Sequence, residues 1–230
     1  MRDLVLMGPP PGPAGAWSKC RYQLFSNDQM IGSLLSSRRL CGTENGFELG
    51  ISDEMKVDIH RLFGGYHLHS EEELQLDQHG LAGYRLTAEE DGRQSKVSLL
   101  RNQQDISWQV QSKAGGVVEQ ISTALDSFDC TSETAAWLFL CEGQPVQTLR
   151  VLDLDDLEIR QVRYVYEGKQ HVQLAEGWFD CHKVTFASDN KTGCMYLVED
   201  NTGIWLGSES GRDNDGDYRV ELVEYQNRKG

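Results

Sequence analysis

Residues 176–225 constrain the fold more than any other stretch, because polar and apolar residues alternate there between three turn-forming segments. The turns are predicted at residues 188–193, 201–203 and 213–216, which are rich in Asp, Asn, Thr and Gly. Alternation with a period of two is typical of a β-strand with one buried and one solvated face. The apolar members of the pattern are Val184, Phe186, Met195, Leu197, Ile204, Leu206, Val220 and Leu222. The stretch therefore predicts four consecutive antiparallel strands.

Similar alternation runs through most of the remaining chain from Trp17 onward, and the pair Asp91-Gly92 marks a tight hairpin. One segment departs from it. Ser132 follows Asp129-Cys130-Thr131, a favourable helix start, and leads into the apolar run that ends at Leu140. A helix that is apolar all round must be buried. We therefore predict a mostly β protein, with a large curved antiparallel sheet, open-barrel or sandwich-like, wrapped around one short buried helix.

The first sixteen residues differ in composition from the rest of the chain. Four of the five prolines lie in residues 1–16, together with several glycines, so this leader is expected to be extended or disordered. Residues 17–230 are expected to form a single all-β domain, which is within the usual size of such units. The apolar patch from Leu4 to Met7 is too short for the core of an export signal. Two alternatives follow for the location: the protein stays in the cytoplasm, or the start of the sequence is a truncated or processed version of an export signal.

Charge narrows the range of partners. The chain has 22 Lys and Arg against 36 Asp and Glu, a formal net charge of −14 that is spread along the sequence. Such a field repels phosphate backbones and anionic membrane surfaces, so we expect no nucleic-acid partner. No apolar run reaches the length of a transmembrane helix, and no transmembrane segment is expected.

The predicted hairpins bear on the pairing of the six cysteines. If residues 188–191 form a loop, Cys181 lies opposite Val198 and Cys194 opposite Thr185, so these two thiols do not meet. If residues 26–29 form the first loop, Cys20 lies opposite Leu35 and not Cys41. Local disulfides are unsupported, and buried free thiols are the favoured interpretation, with pairings between distant strands left open.

Five short patterns can be compared with known families: the opening hairpin at residues 22–32, the segment 66–81, the helix, the Glu-Asp-x-x-Gly of residues 199–203 and the ending at residues 213–222. Together they resemble the patterns of a family of uncharacterised proteobacterial envelope proteins. Leu76 stands where that family has tryptophan. The resemblance implies an antiparallel sheet curled around a helix, distantly similar in shape to lipoprotein or lipid carriers, and a periplasmic location. It carries over no catalytic residue.

Three residues form a candidate metal site. His67, His69 and Glu71 are spaced by two on a predicted strand, so their side chains share a face, and His60 and His79 are near in sequence. Imidazole and carboxylate groups ligate zinc or copper when another ligand converges from a neighbouring strand. The alternative is the polar face of a half-exposed strand.

Two further motifs have simpler explanations. Residues 213–217 resemble a calcium loop, but their glycine is fourth, whereas an EF-hand needs it sixth; a tight turn accounts for them. Cys181 and His182 are adjacent in a strand and point to opposite faces, which excludes a nucleophile and base pair between them. No phosphate-binding glycine loop, nucleophile elbow or paired Cys-x-x-Cys occurs.

Four aromatic residues are candidates for a hydrophobic ligand cavity: Trp137 and Phe139 on the helix, and Trp178 and Trp205 on strands. An ordinary core uses the same residue types. We therefore predict a non-catalytic binding or accessory protein that holds a hydrophobic small molecule or docks a protein partner. The alternative is a metal-dependent enzyme, or an obligate subunit of a larger enzyme complex, with its site near His67 and His69. No cofactor is assigned by the sequence.

Overall fold

The computed structural model describes residues 15–43, 46–61, 64–77, 80–101, 105–112, 118–124, 127–154, 157–175, 177–200 and 202–228. Side chains are described throughout these ranges except at residues 43, 46, 60, 61, 64, 105, 106, 108–112 and 118–124. The predicted leader lies outside the described residues apart from Gly15 and Ala16.

Fifteen strands and one helix are formed by these residues, in the order that follows. They are β1 (Trp17–Ser26), β2 (Gln29–Thr43), β3 (Gly46–Arg61), β4 (Gly64–Asp77), β5 (Gly80–Glu90), β6 (Arg93–Arg101), β7 (Asp105–Ser112), β8 (Val118–Ala124), β9 (Cys130–Thr131), α1 (Ser132–Glu142), β10 (Val146–Leu152), β11 (Ile159–Leu174), β12 (Gly177–Ala187), β13 (Thr192–Asp200), β14 (Gly203–Asp213) and β15 (Gly216–Arg228). The predicted mostly β fold with a single short helix is confirmed.

All fifteen strands belong to one sheet in which the first and last strands meet at the centre. The order is β8-β7-β6-β5-β4-β3-β2-β1-β15-β14-β13-β12-β11-β10-β9, so β8 and β9 are its two edges. Every neighbouring pair is antiparallel except β9 with β10. Two meanders, one on each side of β1, are thus joined by the β1 to β15 ladder.

The C-terminal meander confirms the four strands that alternation predicts for residues 176–225, although Thr192 and Gly193 of the predicted first turn belong to β13, and Glu176 and Asn201 lie outside the described residues. Cys181 lies opposite Val198, and Cys194 lies opposite Thr185, as predicted. In the first hairpin the prediction was wrong by one residue, because a register shift between Leu24 and Phe25 places Cys20 opposite Ser36 instead of Leu35. One extra residue in one strand displaces every later partner.

All six cysteines are free. The expectation of buried thiols holds for Cys20, Cys130 and Cys181, whereas Cys141 is exposed and Cys41 and Cys194 are partly buried. Cys141 occupies the last turn of α1, where the helix surface turns toward solvent.

Helix α1 begins where its sequence predicts and runs two residues further, to Glu142. The N-cap is Thr131, whose backbone N–H donates to the Thr134 hydroxyl at 3.1 Å, and this bond satisfies a donor that the helix start would leave unpaired. Gly143 ends the helix in the left-handed conformation at φ 65°. Among the described residues, no helix has the length and apolar character needed to span a membrane.

The helix contributes to two cores. Trp137 packs with a cluster that includes Leu49, Leu76 and Leu99 of the N-terminal meander. Phe139 packs with a second cluster that includes Val184 and Leu197 of the C-terminal meander. A third cluster, around Trp205, Cys20 and Leu222, contains residues of β1 and β11 to β15 and none of the helix. The helix therefore lies between the two halves of the sheet, as the wrapped-sheet prediction requires.

Candidate ligand groove

One cross-strand row of the C-terminal meander has an unusual composition. Tyr164 pairs with Phe186, Phe186 with Gly193, Gly193 with Gly211, and Gly211 with Tyr218. Paired residues of neighbouring strands share a face of the sheet. Phe139 of α1 stacks on Tyr164, with ring centroids 5.5 Å apart, so this row faces the helix.

The two glycines make a trough between two aromatic rings. A Cβ on Gly193 would lie 2.7 Å from Cζ of Phe186 and 2.7 Å from the Ser210 carbonyl oxygen. A Cβ on Gly211 would lie 2.3 Å from the Thr192 carbonyl oxygen and 2.6 Å from the Tyr218 hydroxyl oxygen. The rings of Phe186 and Tyr218 therefore lie over the backbone of the two glycines. A side chain at either glycine position would collide with these neighbours.

Beside this row lies an open groove of about 630 Å³, bounded by the first turn of α1, β10 to β14 and two turns. Its floor consists of apolar and aromatic side chains that are buried or partly buried, namely Val151, Val162, Tyr164, Phe186 and Met195. Its rim consists of polar residues, namely Ser132, Glu133, Asp153, Arg160, Ser188, Asn190, Lys191, Glu209, Asp213, Asn214 and Asp215. An apolar floor with a polar rim is typical of small-molecule sites. We call this the helix-side groove.

The rim of the helix-side groove is acidic, with five carboxylates against two basic groups. Both bases are paired. Arg160 Nη1 lies 2.8 Å from Asp153 Oδ2, and Lys191 Nζ lies 3.0 Å from Glu209 Oε1. The net excess of negative charge favours cationic and neutral ligands over anionic ones.

Lys191 closes the end of the helix-side groove next to the glycine trough. Its Nζ lies 4.5 Å from the Tyr218 ring centroid and 5.5 Å from that of Phe186. The Tyr218 hydroxyl donates to the same Glu209 oxygen at 2.6 Å. Burial, with the Glu209 charge next in size, raises the pKa of Tyr218, so its phenol keeps the proton that it donates. The ammonium is held by two π faces and one carboxylate.

A second groove of about 450 Å³ also borders the glycine trough, because Gly193, Gly211 and Tyr218 are among its lining residues. Its lining includes Phe25, Asp28, Arg212, Asp217 and Arg219, and the Arg219 guanidinium lies 4.4 Å from the centroid of Phe25. Arg219 also pairs with Asp28 and Glu221. This groove is smaller than the helix-side groove, and the ion-paired Arg219 borders it.

The four aromatic residues predicted to bind a ligand do not share one cavity. Trp137 covers Gly203 in the first core, and Phe139 stacks on Tyr164 behind the floor of the helix-side groove. Trp205 is 1% exposed on the face away from the helix, in the third core. Trp178 is 62% exposed and stacks on His171 at 5.1 Å. None of these four residues lines the helix-side groove, and Phe139 contacts Tyr164 of its floor.

The residues of the predicted metal site lie side by side on the exposed surface of β4. His67 Nδ1 is hydrogen-bonded to Asp58, and His69 Nε2 lies 3.3 Å from Glu54 Oε1. Glu71 lies opposite Glu54 in the β3 to β4 ladder. In the part of the chain that the structure describes, no group of three or more His, Cys, Asp or Glu is placed to hold a metal ion. The side chains of His60 and His79 lie outside that part, and the metal site stays a prediction.

His182 belongs to a short polar chain on the helix side. Its Nδ1 lies 3.2 Å from the Tyr166 hydroxyl, and its Nε2 lies 3.6 Å from Glu199 Oε2. Burial is the main reason that the pKa of His182 is lowered, which favours the neutral ring. Cys181 belongs to the third core, so the two neighbours do lie on opposite faces.

The acidic turn at residues 213–216 is a hairpin connection, and its tip borders the helix-side groove. The backbone N–H of Asp215 donates to Asp213 Oδ1 at 2.9 Å, as in an Asx turn. The turn prediction is thus confirmed, and the turn also supplies part of the rim.

The helix-side groove was not predicted, because its floor consists of residues from four strands, β10, β11, β12 and β13. The signal that could have found it is the glycine pair. The predicted register of the β12 to β13 hairpin places Gly193 opposite Phe186, and the next hairpin brings Gly211 alongside. Glycine in successive strands beside aromatic partners marks a depression in a sheet.

A family model described as a protein of unknown function, DUF3108, matches residues 76–222, which is more than half of the 230 residues. All residues that line the helix-side groove lie inside the matched segment, whereas His67, His69 and Glu71 precede it. The comparisons with curated proteins and with solved structures give no match.

Proposed function

This chain belongs to the DUF3108 family of proteins of unknown function, and we propose that it is a non-catalytic binding protein which holds an amphipathic small molecule in the helix-side groove. The observation that carries the proposal is the apolar floor under a polar rim. The apolar body of the ligand lies on the floor between Val162 and Met195, and its polar end meets the rim.

The floor is suited to an alkyl or isoprenoid chain. Tyr164 and Phe186 are 6.4 Å apart between ring centroids, and each is less than a tenth exposed, so the floor is prepacked before any ligand arrives. A preformed site loses little conformational entropy on binding. Each methylene group that leaves water for such a surface contributes about 0.8 kcal/mol.

The groove offers little support for catalysis. Arg160 and Lys191, its two basic groups, are both engaged in ion pairs. Burial raises the pKa of the Tyr164 phenol, and this keeps the group neutral near neutral pH. A binding role uses the shape and polarity of the groove without requiring a reactive group.

Titration calorimetry with dodecyl maltoside below its micelle concentration tests the proposal. Val162→Gln places an amide on the floor, and we expect it to weaken binding about tenfold, from the loss of roughly 1–2 kcal/mol of apolar contact. Val146→Gln is the matched control, because Val146 is 46% exposed on β10 and does not line the groove.

The melting temperature of both variants is measured alongside, so that a folding defect is separated from a binding defect. Wild-type binding that Val162→Gln weakens and Val146→Gln leaves unchanged supports the proposal. No binding by wild type, or equal binding by all three proteins, contradicts it.

A further inference from the structure

The trough at the end of the helix-side groove already contains an ammonium group, which belongs to the protein itself. Lys191 Nζ stands over Tyr218 and Phe186 and beside Glu209. Two aromatic faces and a carboxylate are the groups that recognise alkylammonium ligands in proteins. We infer that this trough is a site for the ammonium end of an amphiphilic ligand, and that Lys191 occupies the trough until such a ligand displaces it. The inference rests on the proposed function.

The site is built by the sheet and does not depend on Lys191. Phe186 and Tyr218 lean over Gly193 and Gly211, whose missing side chains leave space for the rings. Tyr218 is fixed by its hydrogen bond to Glu209, and the Glu209 side chain is only 15% exposed. The three groups that face the ammonium therefore keep their positions when Lys191 leaves.

Lys191, in contrast, has freedom to leave. Its side chain is 44% exposed and extends from a turn, not from a strand. The backbone of that turn is held by the Ser188 N–H to Lys191 carbonyl bond at 2.8 Å and by the Lys191 N–H to Ser188 Oγ bond at 3.2 Å. The side chain can swing out while the turn keeps its shape.

Charge and position together define the ligand class. A cation that replaced Lys191 Nζ would interact with Glu209 and with an acidic rim, while a chain attached to it would extend over Phe186 and Met195. An anionic head would meet the same carboxylates and be repelled. The ligand is therefore a single apolar chain or ring system with a primary or quaternary ammonium.

The experiment compares dodecyltrimethylammonium with dodecyl maltoside, both below their micelle concentrations, and with tetramethylammonium alone. We expect wild type to bind the cationic amphiphile tighter than the maltoside, by about fivefold. Lys191→Ala should tighten the cationic amphiphile by a further factor of about five, since no internal ammonium competes. Glu209→Gln should weaken the cationic amphiphile and leave the maltoside unchanged.

Lys169→Ala is the control for net charge, because Lys169 is an exposed lysine that does not line the groove. It should bind like wild type. The inference is wrong if wild type binds the maltoside and shows no preference for the cationic amphiphile, or if Lys191→Ala binds the cationic amphiphile more weakly than wild type does. Either result leaves the proposed function standing. If neither amphiphile binds, both the inference and the proposed function are wrong. If tetramethylammonium binds as tightly as the cationic amphiphile, the apolar floor does not contribute to binding.

Discussion

Asp53 has an unusual environment for an acidic residue. Its Oδ1 is buried and has no hydrogen-bond partner among the described residues, although the residue as a whole is partly exposed. Burial raises the pKa of Asp53, while a hydrogen bond from Ser36 and the charge of Arg38 lower it by less. The folded protein therefore holds this proton to a higher pH than the unfolded chain does.

The sign of the pH dependence follows from that difference. Above the ordinary Asp pKa of about 3.9 the unfolded chain loses the proton first, so stability falls as pH rises through the raised pKa of the folded state. Asp53→Asn should be more stable than wild type near pH 8, and the difference should vanish below about pH 4. Melting temperatures across this range check it, with the exposed Asp189→Asn as control. A difference that does not change with pH would contradict the assignment.

At the scale of elements, Gly193 of β13 and Gly211 of β14 face each other in the ladder that joins the two strands. Alanine at position 211 would place Cβ against the backbone carbonyl of Thr192, which cannot move without breaking the ladder. Gly211→Ala should cost about 1–3 kcal/mol of unfolding free energy. Gly50→Ala, in β3, is the control, because a Cβ there meets no atom within 4 Å and should change stability by less than about 0.5 kcal/mol.

Urea denaturation of the two variants measures both free energies. If Gly211→Ala unfolds at the urea concentration of Gly50→Ala, the glycine trough is not as tight as described.

The strands and the helix were largely predictable from local signals. Period-two alternation and turn residues locate the C-terminal meander, and an N-cap ahead of an apolar run locates α1. These patterns depend only on residues that are close together in the sequence. The pairing of β1 with β15, and the register shift that moves Cys20 from Leu35 to Ser36, depend on distant contacts or on one extra residue. No local pattern encodes them.

The sequence predicts the type of residue in the candidate site, but not the particular residues. Aromatic residues were expected to line a cavity between helix and sheet, and aromatic residues do form part of the groove floor. The predicted residues differ from the observed ones because a strand position that lines a groove floor has the same sequence pattern as a strand position in a closed core. Trp205 and Phe186 illustrate this, since both are buried, yet Trp205 lies in the third core and Phe186 lines the groove.

At the scale of the whole molecule, the helix-side groove depends on both termini of the chain. β15 carries Tyr218 to the trough, and β15 is held in place by its ladder with β1. A buried hydrogen bond between the Ser18 and Thr202 hydroxyls, at 2.9 Å, further joins the first strand to the turn before β14. The two meanders therefore form a single support for one groove.

Photocrosslinking tests this account most directly. The probe is an alkyltrimethylammonium with a diazirine at the middle of its chain, irradiated with the full-length protein, and the adducts are mapped by mass spectrometry. We predict adducts on floor residues of β10 to β13, above all Val162, Phe186 and Met195, and we predict that unlabelled dodecyl maltoside suppresses them. Adducts concentrated around Phe25 and Arg219 or at Trp178, or adducts that the competitor does not reduce, would contradict the assignment of the groove.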